Sequence, residues 1–102
     1  MTKLISQLDQ LLSLKSGSKR LIVEFFSPNV KPSIEFLPTS QKLASKSSKW
    51  TFARVNCLES KELCREMKVT AAPTFLVFVE GLEVDRFVGA DEAVLKQKLE
   101  SF

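Results

Sequence analysis

Two cysteines, Cys57 and Cys64, are the residues of this 102-residue chain best suited to covalent or redox chemistry. A thiolate attacks disulfides and binds metals, but two sulfurs alone cannot complete a four-ligand zinc site. The chain has no histidine, which excludes Ser-His and Cys-His nucleophile pairs, histidine zinc sites and a histidine proton shuttle. Only three glycines are present, too few for a glycine-rich phosphate loop. No metal and no cofactor are therefore expected. One further residue stands out. Glu24 is the single charge in the apolar run Leu21-Ile-Val-Glu-Phe-Phe26. A carboxylate buried there needs a partner, because an unpaired buried charge is costly.

The spacing of the cysteines limits what they can do. On one continuous helix, seven positions would separate them by roughly 10 Å along the axis. A disulfide requires Cα atoms within roughly 7 Å. The bond can form only if Cys57 precedes the helix that carries Cys64 and the chain folds back. Closing so short a loop would stabilise the fold by about 2.5 kcal/mol.

These residues must be held by one core, since the length leaves no room for a second. The chain is 44% hydrophobic and 26% charged, an ordinary globular balance. Its net charge of +3 is too small to argue for nucleic acid. No apolar run approaches the ~20 residues of a membrane span, and the polar first ten residues do not resemble a signal peptide. A soluble, cytoplasmic protein is expected, with no membrane partner, as a monomer or weak dimer. A Cys57–Cys64 disulfide would instead favour a secretory lumen.

Hydrophobic periodicity gives the element order β-α-β-α-β-α-β-β-α. A short strand spans Lys3 to Ile5. Ser6 caps a helix whose stripe is Leu8, Leu11, Leu12 and Leu14, with Gly17 as its C-cap. The Leu21–Phe26 strand follows. Pro32 starts a helix running through Ser48, with Ile34, Leu37 and Leu43 inward and Pro38 as a kink. Trp50 to Asn56 is a strand, and Glu59 to Met67 a short helix. Thr74 to Val79 and Glu83 to Val88 form a hairpin about Glu80-Gly81. Asp91 caps a last helix with Val94, Leu95 and Leu99 inward. This order implies an α/β fold with a mixed sheet and helices on both faces.

Over its whole length the chain resembles the thioredoxin family. That family's active strand and turn usually read Val-Asp-Phe-Trp-Ala-x-Trp-Cys-Gly-Pro-Cys, with a kinking proline five residues on. Here the stretch is Val23-Glu-Phe-Phe-Ser-Pro-Asn-Val-Lys-Pro-Ser33, with Pro38 at the kink. The family's cis-proline before a strand matches Ala72-Pro73-Thr74-Phe75, and Gly81 and Gly89 fall at its glycine positions. The resemblance implies a thioredoxin fold over residues 1–102 as a single domain: a central mixed sheet of four or five strands flanked by four helices.

The departures carry the functional expectation. The family's attacking cysteine falls on Val30, its resolving cysteine on Ser33, and the preceding tryptophan on Asn29. Thiol–disulfide exchange needs a thiolate and a second thiol, so Asn29, Val30, Lys31, Pro32 and Ser33 form a degenerate site. No catalytic residue is expected there. The resemblance places Glu24 at the family's buried aspartate and Arg54 at its neighbouring lysine, as a buried ion pair. The expected function is a redox-inactive domain binding a protein or peptide as an added strand. Its groove would be Val30, Lys31, Pro32, Ala71, Ala72, Pro73 and Ala90.

Cys57 and Cys64 resemble a pair in the protein disulfide isomerase branch of the family, where it is a structural disulfide. Three readings stay open at this point: a structural disulfide, two buried free thiols, or a relocated redox pair. The last makes the alternative function a thiol–disulfide oxidoreductase or redox-regulatory protein using Cys57 and Cys64. An accessory domain of a larger protein is a further alternative, because Val84-Asp-Arg-Phe-Val-Gly-Ala90 resembles domains attached to monothiol glutaredoxins.

Overall fold

The structure, a computed structural model, describes residues 2–102. Its elements are β1 (Thr2–Leu4), α1 (Leu8–Gly17), β2 (Arg20–Phe26), α2 (Lys31–Ser45), β3 (Thr51–Asn56), α3 (Lys61–Glu66), β4 (Thr74–Val79), β5 (Leu82–Val88) and α4 (Glu92–Ser101). The five strands form one sheet in the order β1-β3-β2-β4-β5. The first three are parallel, and β4 and β5 run antiparallel to their neighbours. This is the mixed α/β sheet with four helices that the residue pattern implied.

Central position explains the composition of β2. It is flanked by β3 and β4, and every residue from Leu21 to Phe26 is buried. A strand covered on both faces loses the polar alternation of a half-exposed one. Leu21, Val23 and Phe25 join Leu11, Leu63 and Cys64 in one core layer. Ile22 joins Phe36, Trp50, Phe75 and Leu95 in the other. Glu24 shares the face of Ile22, since side chains alternate along a strand. The edge strand β5 carries an extra residue, Val84: Asp85 pairs with Val77 while Glu83 pairs with Phe78. Such a bulge and its charges protect an edge from further pairing.

The helix boundaries differ from the residue pattern for local reasons. Gln7, not Ser6, caps α1, and the Gln10 side chain accepts from the N–H groups of Ser6 (2.8 Å) and Gln7 (3.1 Å). Gly17 stays helical and the cap is Ser18. Helix α2 stops at Ser45, where the Lys46 N–H donates to the Leu43 carbonyl at 3.2 Å. Pro38 lies inside it. Helix α3 starts only at Lys61, because the Asn56 side chain accepts from the Leu58 and Glu59 N–H groups and holds a turn. Asp91 does cap α4, accepting from the Val94 N–H at 3.2 Å. Among the described residues, no helix is long and apolar enough to cross a membrane.

The inward face of α2 needs a correction. Ile34 is 38% exposed, whereas Ser33, Phe36, Ser40 and Ala44 are buried. The helix lies over Glu24, so its inner face supplies a hydroxyl rather than a continuous apolar stripe. Two aromatic contacts of this layer are apolar: Phe75 meets Phe36 edge-on at 5.9 Å and stacks on Phe87 at 4.9 Å. Phe75→Ala is expected to cost about 3–5 kcal/mol in urea unfolding. Leu82→Ala, at a position 70% exposed, should change stability by less than about 0.5 kcal/mol.

Candidate functional site

The turn that follows β2 is held by hydroxyls. Ser33 is fully buried, and its Oγ accepts from the Ser27 N–H at 3.0 Å. The Val30 N–H donates to the Ser27 carbonyl at 3.1 Å. Val30 is half-buried, while Asn29, Lys31 and Pro32 are exposed. Lys31 approaches Glu35 at 3.9 Å. In the segment that leads into β4, the Ala72–Pro73 bond is cis and Pro73 is buried. The Ala71 carbonyl accepts from the Thr74 hydroxyl at 2.6 Å, and the Gly89 N–H donates to the Pro73 carbonyl at 2.9 Å. Gly89 takes φ +119°, a conformation suited to glycine, and Ala90 follows it, exposed.

Cys57 and Cys64 are joined in a disulfide, with their Cα atoms 5.8 Å apart. The chain reaches this separation as the spacing required, with Cys57 ahead of α3. The Cys57 N–H extends the sheet by donating to the Phe26 carbonyl at 2.8 Å. The Asn56 turn then reverses the chain, and α3 returns Cys64 to the same spot. Cys64 is 5% exposed and Cys57 half-buried. The disulfide lies in the wall of a groove of about 470 Å³ that also contains Ser27, Val30, Lys61, Arg65, Lys68, Val69, Thr70, Ala71 and Ala72. So the groove unites Val30, Ala71 and Ala72 with the sulfurs. Lys31, Pro32, Pro73 and Ala90 do not line it. The residue pattern did not single out Lys61, Arg65 or Lys68 as part of any site, although the helical spacing of Lys61 and Arg65 around Cys64 was the available signal.

Glu24 and Arg54 sit side by side on β2 and β3. Arg54 Nε donates to Glu24 Oε1 at 3.2 Å, and Ser40 Oγ donates to the same oxygen at 2.6 Å. Arg54 Nη2 also donates to the Leu37 carbonyl at 2.6 Å and to Ser40 Oγ at 2.7 Å. Ser40 is the member the residue pattern missed; it lies two turns beyond Ser33 on the same helix face. Glu24 Oε2 has no hydrogen-bond partner among the described residues. Burial raises the Glu24 pKa above its ordinary value, only partly offset by the Ser40 hydrogen bond and the Arg54 charge. At the surface the reverse holds: the Lys98 contact, 2.6 Å long, lowers the Asp85 pKa.

The sheet order, the turn and the facing cis-proline segment define a protein of the thioredoxin-fold class with its disulfide beside the groove. Residues 6–101 match the Thioredoxin family, and the chain belongs to it. It is 31% identical over 100 residues to Thioredoxin-2 of Saccharomyces cerevisiae, covering 98% of this chain and 96% of that one. It is 28% identical over 102 residues to Thioredoxin 1 of Plasmodium falciparum, covering 100% of this chain and 98% of the relative. Among solved structures, a cysteine-to-serine mutant of Entamoeba histolytica thioredoxin superposes with a TM-score of 0.93 at 34% identity, covering 100% of both chains.

These relatives, named as thioredoxins, and the Cys57–Cys64 disulfide overturn the expectation of a redox-inactive domain. That expectation equated loss of sulfur at Val30 and Ser33 with loss of redox chemistry. The physical reason it failed is that a sulfur pair stands elsewhere on the same groove.

The Glu24 cluster makes a pH-dependent prediction. A folded-state carboxyl pKa above the ordinary 4.5 means that the unfolded chain releases this proton first as pH rises. The Glu24 contribution is therefore fully present below that value and is lost as pH rises through the folded pKa. Glu24→Gln removes the titration, so its unfolding free energy should gain on the parent between mildly acidic and neutral pH. Urea unfolding across that range checks this, and a constant gap would refute it. Arg54→Met should cost about 3 kcal/mol at neutral pH, where it strands a carboxylate, and less in acid.

Proposed function

We propose that this chain is a thiol–disulfide exchange protein whose redox couple is Cys57–Cys64 and whose substrates are protein disulfides. The observation that carries the reading is the opening of the disulfide onto the groove between Val30 and Ala71-Ala72. The protein substrate is supported by the thioredoxin relatives and by the backbone of Ala72, whose N–H and C=O take no hydrogen-bond partner among the described residues. An extended segment can add to such a backbone by main-chain hydrogen bonds. Lys31, Pro32, Pro73 and Ala90 then flank the segment rather than contact its sulfur. The family match over residues 6–101 supports reading residues 1–102 as one domain. A cytoplasmic setting fits this reading, because its thiol pool keeps cysteines reduced.

The exchange proceeds as follows. Reduction of the couple by an external dithiol takes up two electrons and two protons and opens the Cys57–Cys64 bond. Cys57, the more exposed cysteine, loses its proton and attacks one substrate sulfur. A mixed disulfide forms, the substrate S–S bond breaks, and the leaving sulfur takes a proton. The Cys64 thiolate then attacks Cys57 Sγ, which re-forms the internal disulfide and releases the second substrate thiol. Two electrons have passed to the substrate. Lys61, Arg65 and Lys68 place positive charge around the sulfurs, which favours the thiolate forms.

Insulin reduction driven by dithiothreitol tests the proposal. The protein should accelerate precipitation of the insulin B chain above the dithiothreitol background. Cys57→Ser should abolish the acceleration, and Cys64→Ser should accumulate a mixed disulfide visible by mass spectrometry. Parent activity at background, or acceleration that survives Cys57→Ser, would sink it.

A further inference from the structure

The charges around α3 are sorted by direction. Glu59, Glu62 and Glu66 face a cavity of about 640 Å³ toward the start of α1, together with Ser6, Gln7 and Leu8. Lys61, Arg65 and Lys68 face the disulfide groove instead. Lys61 lines both, at the boundary between them. No acidic residue lines the disulfide groove among the described residues. Nor does any of its three cations form an ion pair among the described residues, where the pairs are Lys31–Glu35, Arg54–Glu24, Arg86–Glu83 and Lys98–Asp85. The floor between them, Val30, Val69, Ala71 and Ala72, is small and apolar.

We propose that this basic wall selects substrates whose reactive cysteine lies in an extended acidic segment. The inference rests on the thiol–disulfide reading of the same groove and names the substrate class for it. Two features favour an acidic peptide as the occupant. Three unpaired cations and no anion leave the groove complementary to carboxylates. Lys61 and Arg65, one helical turn apart, are separated by roughly 6 Å along the α3 axis. Alternate side chains of an extended chain are separated by roughly 6.6 Å. A cysteine and the carboxylates at alternate positions on either side of it share one face of a docked segment, so the carboxylates meet the cations while the cysteine meets the disulfide beside them.

The test separates binding from chemistry. Three short peptides carry glutamate, glutamine or lysine at alternate positions around a central serine that stands in for cysteine. Each is titrated against the oxidised protein by fluorescence anisotropy at low and high salt. The glutamate peptide should bind at least about tenfold more tightly than the lysine peptide at low salt, and the preference should shrink at high salt. Arg65→Glu with Lys68→Glu should remove the preference, and Glu66→Lys, on the other side of α3, should leave it intact. Equal binding of the three peptides, or a preference that survives the double reversal, overturns the selectivity. Binding of reduced glutathione as tight as that of the glutamate peptide overturns the peptide as occupant. Cysteine versions of the same peptides, as mixed disulfides, report exchange when offered to the protein reduced beforehand by dithiothreitol. Exchange without charge preference counts against the selectivity alone. Charge-selective binding without exchange supports the selectivity and counts against the thiol–disulfide reading.

Discussion

A charge at the centre of the sheet is the constraint around which one half of this molecule is arranged. Glu24 stands in the middle of the most buried strand, with its neighbours on β3 and β4 in register. Removing a carboxylate from water costs several kcal/mol, and the cost is tolerable only with hydrogen bonds and a counter-charge in place. Arg54 supplies the charge from β3, and Ser40 supplies a hydroxyl from α2. Arg54 is itself fixed by the Leu37 carbonyl and Ser40 Oγ. The cluster thereby ties α2 to the sheet, and it dictates which face of α2 turns inward. That face carries Ser33 and Ser40 beside Phe36 and Ala44 because it lies against polar groups as well as a core.

The sheet keeps this cluster apart from the sulfurs. Glu24 shares a face with Ile22, in the layer of α2 and α4. Cys64 packs in the opposite layer with Leu11, Leu63 and Phe25, and Cys57 against it. A carboxylate on the far side of a β-sheet cannot exchange a proton directly with either sulfur. The family resemblance placed Glu24 where the family keeps a buried aspartate beneath its cysteines. In this chain its consequences are stability and its dependence on pH.

The strands were legible because their signals are local and strong. Leu21–Phe26 and Thr74–Val79 are apolar runs bounded by turn residues, and the resemblance around Ala72-Pro73-Thr74 put them in order. The helix ends and the α2 face were less legible. Gln10 reaches back to cap α1, and Asn56 holds a turn before α3, and both choices depend on side-chain geometry rather than on periodicity. Ile34 looked inward because an apolar stripe is assumed to face the core; Ser40 escaped notice because its partner lies sixteen residues upstream on another element. The groove was half legible. Val30, Ala71 and Ala72 follow from the family pattern, but the approach of α3 to them is a tertiary fact. Without it, the sulfur pair and the three cations had no visible connection to the turn.

The anchoring of the two cysteines bears on whether the couple can cycle. Cys57 is held by the sheet through its N–H on the Phe26 carbonyl. Cys64 is held by its own helix, donating to the Ser60 carbonyl at 3.1 Å, and its carbonyl accepts from the Val69 N–H at 2.9 Å. None of these bonds depends on the sulfur–sulfur link. In the proposed cycle these bonds would hold the backbone on each side when the link opens, keeping the two thiols within reach of one another. A resolving attack needs that proximity, since the second sulfur must arrive before the mixed disulfide is lost to another thiol. In the proposed exchange, exposure orders the roles. The loop carries the more accessible sulfur toward the groove, and the helix keeps the other against the core. The attacking and resolving positions of the proposed exchange are thus distinguished by the same turn that brings the pair together.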